Sequence, residues 1–334
     1  MMKQFKVGLI GCGAIAQVHA AVLRSLPGVQ LCACCDIVRE KAEAMARPDG
    51  IAVYEDDLSL LDREKPDAVH LCTPHHLHTP MAEAAATRGI AVFTEKPPAI
   101  DREQWARLQQ AAQKVPVGVC FQNRYNRNIR MVRDLIENGK FGHVLGARAF
   151  VTWSRNAGYY LNSSWRGRIA TEGGGALINQ AVHTLDLLIW LLGKPLTTEG
   201  TIANHHLRGK IEVEDTAEIY LGYEDKTAVL YATTAYAADA PVLIEFQTEK
   251  AVLRLERDDL EIITAEGTEH IACPASEPLG KGYWGNGHLP CIRDFYESLE
   301  QHKPYQNDVN SVSDTMEALL EIYEQGRKEG TVNL

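Results

Sequence analysis

Residues 5–36 constrain this chain more tightly than any other stretch. The apolar run Phe5-Lys6-Val7-Gly8-Leu9-Ile10 ends in Gly11-Cys12-Gly13-Ala14-Ile15-Ala16. A helix-compatible stretch continues to Leu26, Pro27-Gly28 breaks it, and a second apolar run over 29–35 ends at Asp36. This reads as strand, glycine turn, helix, strand, acid. Gly11 permits the tight turn, Gly13 lets a pyrophosphate approach the backbone, and the small Ala16 lets the helix pack on the strand. The helix start at Ala14 and Ile15 offers unpaired N–H groups and a positive dipole end to phosphates. Asp36 lies 36 − 16 = 20 residues beyond the third small position, where a carboxylate can accept hydrogen bonds from adenosine ribose hydroxyls. Its charge repels a 2′-phosphate and favours NAD. Arg39 is close enough to bind such a phosphate, so NADP stays open.

Alternation continues after Asp36. Strands are expected at 51–54, 67–72, 90–94 and 116–121, and helices at 40–47, 79–88 and 101–114. Strands alternating with helices predict a doubly wound parallel sheet with ligand at the strands' carboxyl ends. Thr73-Pro74 and Lys96 both sit at such ends. His75, His76 and His78 are expected in a loop at the pocket edge, since sequence neighbours on a loop rarely converge on one ion; no metal is expected.

Length and composition bound the rest. A chain of 334 residues, 45% hydrophobic and 23% charged, suits about two globular domains. The net charge, 34 − 44 = −10, argues against nucleic acid as a partner, because phosphate binding needs clustered Lys and Arg. No uninterrupted apolar run reaches about 18 residues, so no membrane span is expected. The N-terminal lysines and apolar residues faintly mimic a secretion signal but read better as a first strand. The eight cysteines fall mostly in apolar stretches and read as buried thiols. A cytoplasmic enzyme is the expectation.

The glycine turn, Thr73-Pro74 with His78, and especially Glu95-Lys96-Pro97 resemble the glucose–fructose oxidoreductase/inositol dehydrogenase (Gfo/Idh/MocA) family. Asn123-Arg124-Tyr125-Asn126, Gly139-Lys140-Phe141-Gly142, Trp165-Arg166-Gly167, Gly173-Gly174-Gly175 running into His183-Thr184-Leu185-Asp186, and Gly287-His288 agree in order. The resemblance implies an N-terminal Rossmann domain over 1–122. A C-terminal α/β domain over 123–334, built on a large, mostly antiparallel open sheet, would bind substrate and mediate oligomerisation. Strand-like runs at 143–153, 197–206, 212–223, 227–236, 241–248, 251–256 and 260–264 agree independently, with helices expected at 176–192, 289–300 and 309–328. One face of that sheet needs a cover besides helices; in the family another subunit commonly supplies it, implying a homodimer or homotetramer.

By the same resemblance the activity is NAD-dependent oxidation of a secondary alcohol in a sugar, sugar derivative or cyclic polyol, as in inositol dehydrogenases. Lys96 would hold the reacting oxygen and His183 exchange its proton. The implied cofactor contacts are Gly11, Gly13, Ala14, Ile15, Ala16, Asp36, Thr73, Pro74, His78, Glu95, Lys96, Pro97 and Asn123. Arg124, Trp165 and His288 either line the substrate pocket or only pack, and Asp186 is expected to cap or pair locally as a structural residue. The glycine triplet is expected to let backbone approach the sugar. One residue departs from the pattern: many members carry Asp four residues before the helix histidine, and Asn179 stands here, able to hydrogen-bond substrate but not to act as a carboxylate base. An NAD-retaining glycosidase and a non-catalytic dinucleotide and sugar sensor are the alternatives.

Overall fold

The computed structural model describes residues 4–273 and 287–328. In chain order the elements begin β1 (Phe5–Ile10), α1 (Ala14–Ser25), β2 (Val29–Cys35), α2 (Arg39–Ala46), β3 (Ala52–Tyr54), α3 (Asp57–Glu64), β4 (Ala68–Leu71), α4 (His75–Ala86), β5 (Ala91–Thr94), α5 (Arg102–Ala112) and β6 (Val117–Val119). They continue α6 (Arg127–Glu137), β7 (Val144–Thr152), α7 (Ala157–Leu161), α8 (Ile169–Glu172), α9 (Val182–Leu192), β8 (Thr197–Ala203), β9 (Thr216–Gly222), β10 (Thr227–Thr233), β11 (Leu243–Thr248), β12 (Val252–Glu256), β13 (Asp259–Thr264), β14 (Gly267–Ile271), α10 (His288–Gln301) and α11 (Ser313–Lys328).

The chain divides into two units, Met1–Gln122 with Glu277–Val312, and Asn123–Ser276 with Ser313–Leu334. The second domain expected as an unbroken 123–334 is therefore interrupted. The physical reason is the apolar face of α10. Phe295 lies 5.1 Å from Phe93 and Tyr296 lies 5.5 Å from Phe5 (ring centres), so this late helix completes the core of the first unit.

The first unit holds a six-stranded sheet in the order β3-β2-β1-β4-β5-β6, and every described pairing in it is parallel. Val7, Leu9, Ala68, Val69, Leu71, Val92 and Phe93 are fully buried, as in strands covered by helices on both faces. Asp56 and Asp101 start α3 and α5 by accepting from Ser59 N and Gln104 N. The loop expected at 75–78 is instead the first turn of α4. Pro74 supplies a compatible backbone before it. Pro80, inside the helix, denies the His76 carbonyl its usual donor, and Gln104 Nε2 supplies one at 3.2 Å.

In the second unit an eight-stranded sheet runs β14-β13-β12-β11-β7-β10-β9-β8, antiparallel except where β7 meets β10. Ile219, Leu230, Ala149, Ile244, Leu255 and Leu260 stand in register on its buried face, against which α9 and α11 pack. The opposite face presents, in one row across all eight strands, Glu199, Tyr220, Val229, Arg148, Glu245, Arg254, Glu261 and His270. The strand expected at 212–223 begins only at Thr216, because the buried carboxylates of Glu214 and Asp215 bind backbone N–H groups of neighbouring loops.

The regular helix expected over 176–192 is π-helical over Ala176–Ala181 before α9 begins. Its first N–H groups are taken by side chains rather than a cap: Glu214 accepts from Gly175 and Leu177, and the Tyr323 hydroxyl accepts from Ile178. The helical stretch Ile169–Leu192 is long and apolar enough to cross a membrane by length and composition, which a search for uninterrupted apolar runs overlooks. Its most apolar window is 78% buried, the pattern of a core helix.

Candidate active site

The first unit builds a dinucleotide cradle at the carboxyl ends of its strands. Gly11 has φ +86°, and a Cβ there would stand 2.5 Å from the Cys72 carbonyl oxygen, so only glycine fits between β1 and β4. At Gly13 a Cβ would meet nothing within 4 Å. That space faces the start of α1, which has no side-chain cap and no acidic residue in its first turn. Ala14 is exposed, Ile15 half-buried and Ala16 fully buried. Uncapped N–H groups beside open space suit a pyrophosphate.

Asp36 has a second task. Its carboxylate accepts from Cys12 N and Val38 N, both at 2.8 Å, tying the glycine turn to the end of β2. Each oxygen keeps a lone pair for a ribose hydroxyl. Arg39, the cation nearest for a 2′-phosphate, is engaged by Glu43 at 2.8 Å and Glu55 at 2.9 Å, which favours the unphosphorylated ribose.

Thr73 and Pro74 follow β4, and Glu95, Lys96 and Pro97 follow β5. His78 joins these two loops from below. It is 1% exposed, with Nδ1 2.7 Å from the Pro97 carbonyl and Nε2 2.8 Å from the Thr73 carbonyl. Burial keeps its pKa below the usual histidine range, partly offset by the two carbonyls. The histidine expected at the pocket edge is thus a buried clamp. Glu95 is buried and Lys96 half-buried, and Lys96 N donates to Glu95 Oε2 at 3.3 Å. His288 belongs to this unit too, buried with its ring 6.2 Å from that of His19, and burial pushes its pKa down to about 4. It is only 2% exposed.

In the second unit, Glu172 joins two of the short sequence motifs. It is fully buried, and it accepts from Gly167 N and Asn179 Nδ2, each at 2.5 Å. Burial drives its pKa up to about 7, against the pull of these donors and of Arg166. Half-buried Trp165 lies under the Arg166 guanidinium at 4.5 Å, and its carbonyl accepts from Thr171 Oγ1 at 2.6 Å. Half-buried His183 is the second residue of α9, four positions beyond Asn179 across the change from π to α winding. Half-buried Asn123 opens the unit in a 3₁₀ turn, Gln122–Tyr125.

Two expectations change here. Arg124 is 1% exposed and forms a bidentate pair with Asp186, at 2.7 and 2.5 Å, which Thr315 Oγ1 joins at 2.9 Å. It ties the 3₁₀ turn Gln122–Tyr125 to α9, with Asp186 as its structural partner. The glycine triplet serves packing: a Cβ at Gly174 would stand 2.1 Å from the Tyr323 hydroxyl, and one at Gly175 1.9 Å from the Glu214 carbonyl oxygen. Sequence reasoning missed Glu172. Its position just before the triplet was visible, but its burial against Gly167 and Asn179 depends on the fold.

Residues 5–123 match the pattern of a family described as an oxidoreductase family with an NAD-binding Rossmann fold, and 129–254 match the GFO/IDH/MocA C-terminal domain. The D-glucoside 3-dehydrogenase of Escherichia coli (strain K12) is 30% identical over 202 residues, 57% of this chain and 54% of that protein, so the match spans about half of that relative. The D-apiose dehydrogenase of Paraburkholderia graminis is 28% identical over 315 residues, 90% of this chain and 80% of that one. Among solved structures, the WlbA dehydrogenase from Bordetella pertussis in complex with NADH and UDP-GlcNAcA superimposes with a TM-score of 0.85 at 26% identity, covering 98% of each chain.

Proposed function

This chain belongs to the Gfo/Idh/MocA oxidoreductase family, and from that premise we propose that it oxidises a secondary alcohol of a sugar, sugar derivative or cyclic polyol by hydride transfer to NAD. The observation that carries the reading is the open space over Gly13 at the uncapped start of α1, with Asp36 beside it and Lys96 at the end of the neighbouring strand series. NAD, when bound, supplies the hydride acceptor. The turn Gly11–Ala16 holds the pyrophosphate through backbone N–H groups, and Asp36 holds the ribose. Thr73, Pro74, Glu95, Lys96, Pro97 and Asn123 complete the cofactor contacts, with His78 fixing two of their loops.

Lys96 is assigned the reacting oxygen, whose developing negative charge its ammonium stabilises. His183 takes the hydroxyl proton, a step suited to an imidazole. Asn179 hydrogen-bonds substrate and is oriented by Glu172, and Trp165 lines the substrate side. The carboxylate missing from position 179 is thus supplied by Glu172 at one remove. A screen of sugars, inositols and nucleotide sugars with NAD and NADP in parallel tests the reading: net NADH formation supports it, and glycoside cleavage without net NADH refutes it.

We place the enzyme in the cytoplasm, a reading supported by eight free cysteines, seven of them buried. We further propose a homodimer or homotetramer through the open face of the eight-stranded sheet. Tyr220 (41% exposed) and Val229 (44% exposed) lie there beside the Arg148–Glu245–Arg254–Glu261 ion network, an arrangement suited to burial against a second copy.

A further inference from the structure

A buried line of polar side chains crosses the first unit and takes no part in the chemistry assigned above. His19 on α1 is fully buried, with Nε2 3.0 Å from Glu95 Oε1. Its Nδ1 lies 2.8 Å from Nδ1 of His70 on β4, which is also fully buried. His70 Nε2 lies 2.9 Å from the hydroxyl of Tyr296 on α10. A helix interior and a central strand ordinarily bury apolar side chains at such positions. Polar rings there are costly unless every hydrogen bond is made.

Two facing ring nitrogens admit only two arrangements, because one must donate and the other accept. Burial raises the pKa of Glu95, but the hydrogen bond from His19 and the nearby cationic Lys96 outweigh it and hold the carboxyl well below the usual range. Glu95 is therefore an acceptor, and His19 Nε2 donates to it. With His19 neutral, its Nδ1 accepts from His70 Nδ1–H, and His70 Nε2 accepts from the Tyr296 hydroxyl. With His19 protonated, both bonds reverse: His19 Nδ1–H donates to His70, and His70 Nε2–H donates to the Tyr296 oxygen. His70 is neutral in both, as its burial and the neighbouring His19 charge dictate.

We propose that His19, His70 and Tyr296 are positioning residues for Lys96, carrying one proton whose presence sets the net charge beside Glu95, the carboxylate that accepts from Lys96 N, and so the field at the Lys96 ammonium. The inference rests on the reading of Lys96 as the group that holds the reacting oxygen. Further titratable groups that face this line stay uncharged. His288 on α10 is kept neutral by burial, and the thiols of Cys72 and Cys120, at the ends of β4 and β6, are pushed well above their usual range by burial. Phe93 and Phe295, packed around the line, carry no charge.

Histidine-labelled ¹⁵N spectra of the whole protein over roughly pH 5 to 9 read the proton directly and need no turnover. The expected result is one shared step in which the Nδ1 signals of His19 and His70 exchange donor and acceptor character. His70→Phe keeps a ring of similar shape and removes the acceptor for His19 Nδ1–H. It should move the step, and the matching limb of kcat, to lower pH by about one unit, the scale of one hydrogen bond to a charged group, with KM for NAD unchanged. Tyr296→Phe should move both in the same direction, by less. Fixed tautomers across the range would overturn the proposal. So would variants that lower kcat equally at every pH, or a stoichiometric metal held by His19, Glu95 and Cys120, whose ligand atoms lie within 4.8 Å of one another.

Discussion

Replacing Glu172 with Gln removes a titration that folding displaces by a calculable amount. The folded carboxyl titrates at about 7, above its ordinary 4.5, because burial penalises the charge. Below 4.5 the group is protonated in both the folded and unfolded states and costs nothing. As pH rises from 4.5 to 7 the unfolded chain loses its proton first, so stability falls through that window and levels off above it. The displacement, about 2.5 pKa units at 1.36 kcal/mol each, is a loss of about 3 kcal/mol. Glu172→Gln keeps one acceptor for Asn179 or Gly167 and forfeits the other, a constant cost of about 1–3 kcal/mol at all pH values. Urea unfolding of both proteins at steps from pH 4 to 8 measures the difference. Wild type should lose about 3 kcal/mol relative to Glu172→Gln as pH rises, so that the two curves meet or cross, and parallel curves would refute the assignment of the buried charge to Glu172.

Asn179→Asp places a second carboxyl 2.5 Å from Glu172, where two like charges cannot both ionise, so the pair should retain one proton beyond neutral pH. Its kcat profile should gain a limb above pH 7, and an unchanged profile would separate residue 179 from the chemistry. Asp36→Ala should weaken NAD and improve NADP relative to it, read as the ratio of kcat/KM values; because the Cys12 and Val38 N–H bonds also go, affinity for both should fall. Arg124→Ala leaves Asp186 buried and unpaired in the middle of α9, and should cost about 3–5 kcal/mol in denaturant unfolding. Loss of under about 1 kcal/mol would show that the pair is solvated.

The parts of the fold written in local sequence were the legible ones. The turn at Gly11–Ala16 and the acid at Asp36 carry their own spacing, and the parallel strands announce themselves as short apolar runs. Contacts made over long separations were not legible. Nothing near residue 288 says that α10 returns to the first unit, since that depends on Phe295 meeting Phe93. Nothing in Gly173-Gly174-Gly175 says that Tyr323 and Glu214 occupy the space their missing side chains leave. The same holds at the site. The position of Lys96 followed from β5, whereas the burial of Arg124 against Asp186 and of Glu172 against Asn179 followed only from the folded arrangement.

Stabilisation by Lys96 of the oxygen of an alcohol oxidised by NAD is read out by Lys96→Met. NAD affinity should be measured by titration, and NADH formation followed with whichever sugar or polyol the wild type oxidises. The expected result is near wild-type NAD binding and a fall in kcat of at least about 100-fold, the scale of losing one preorganised oxyanion partner. Wild-type turnover in Lys96→Met would contradict it.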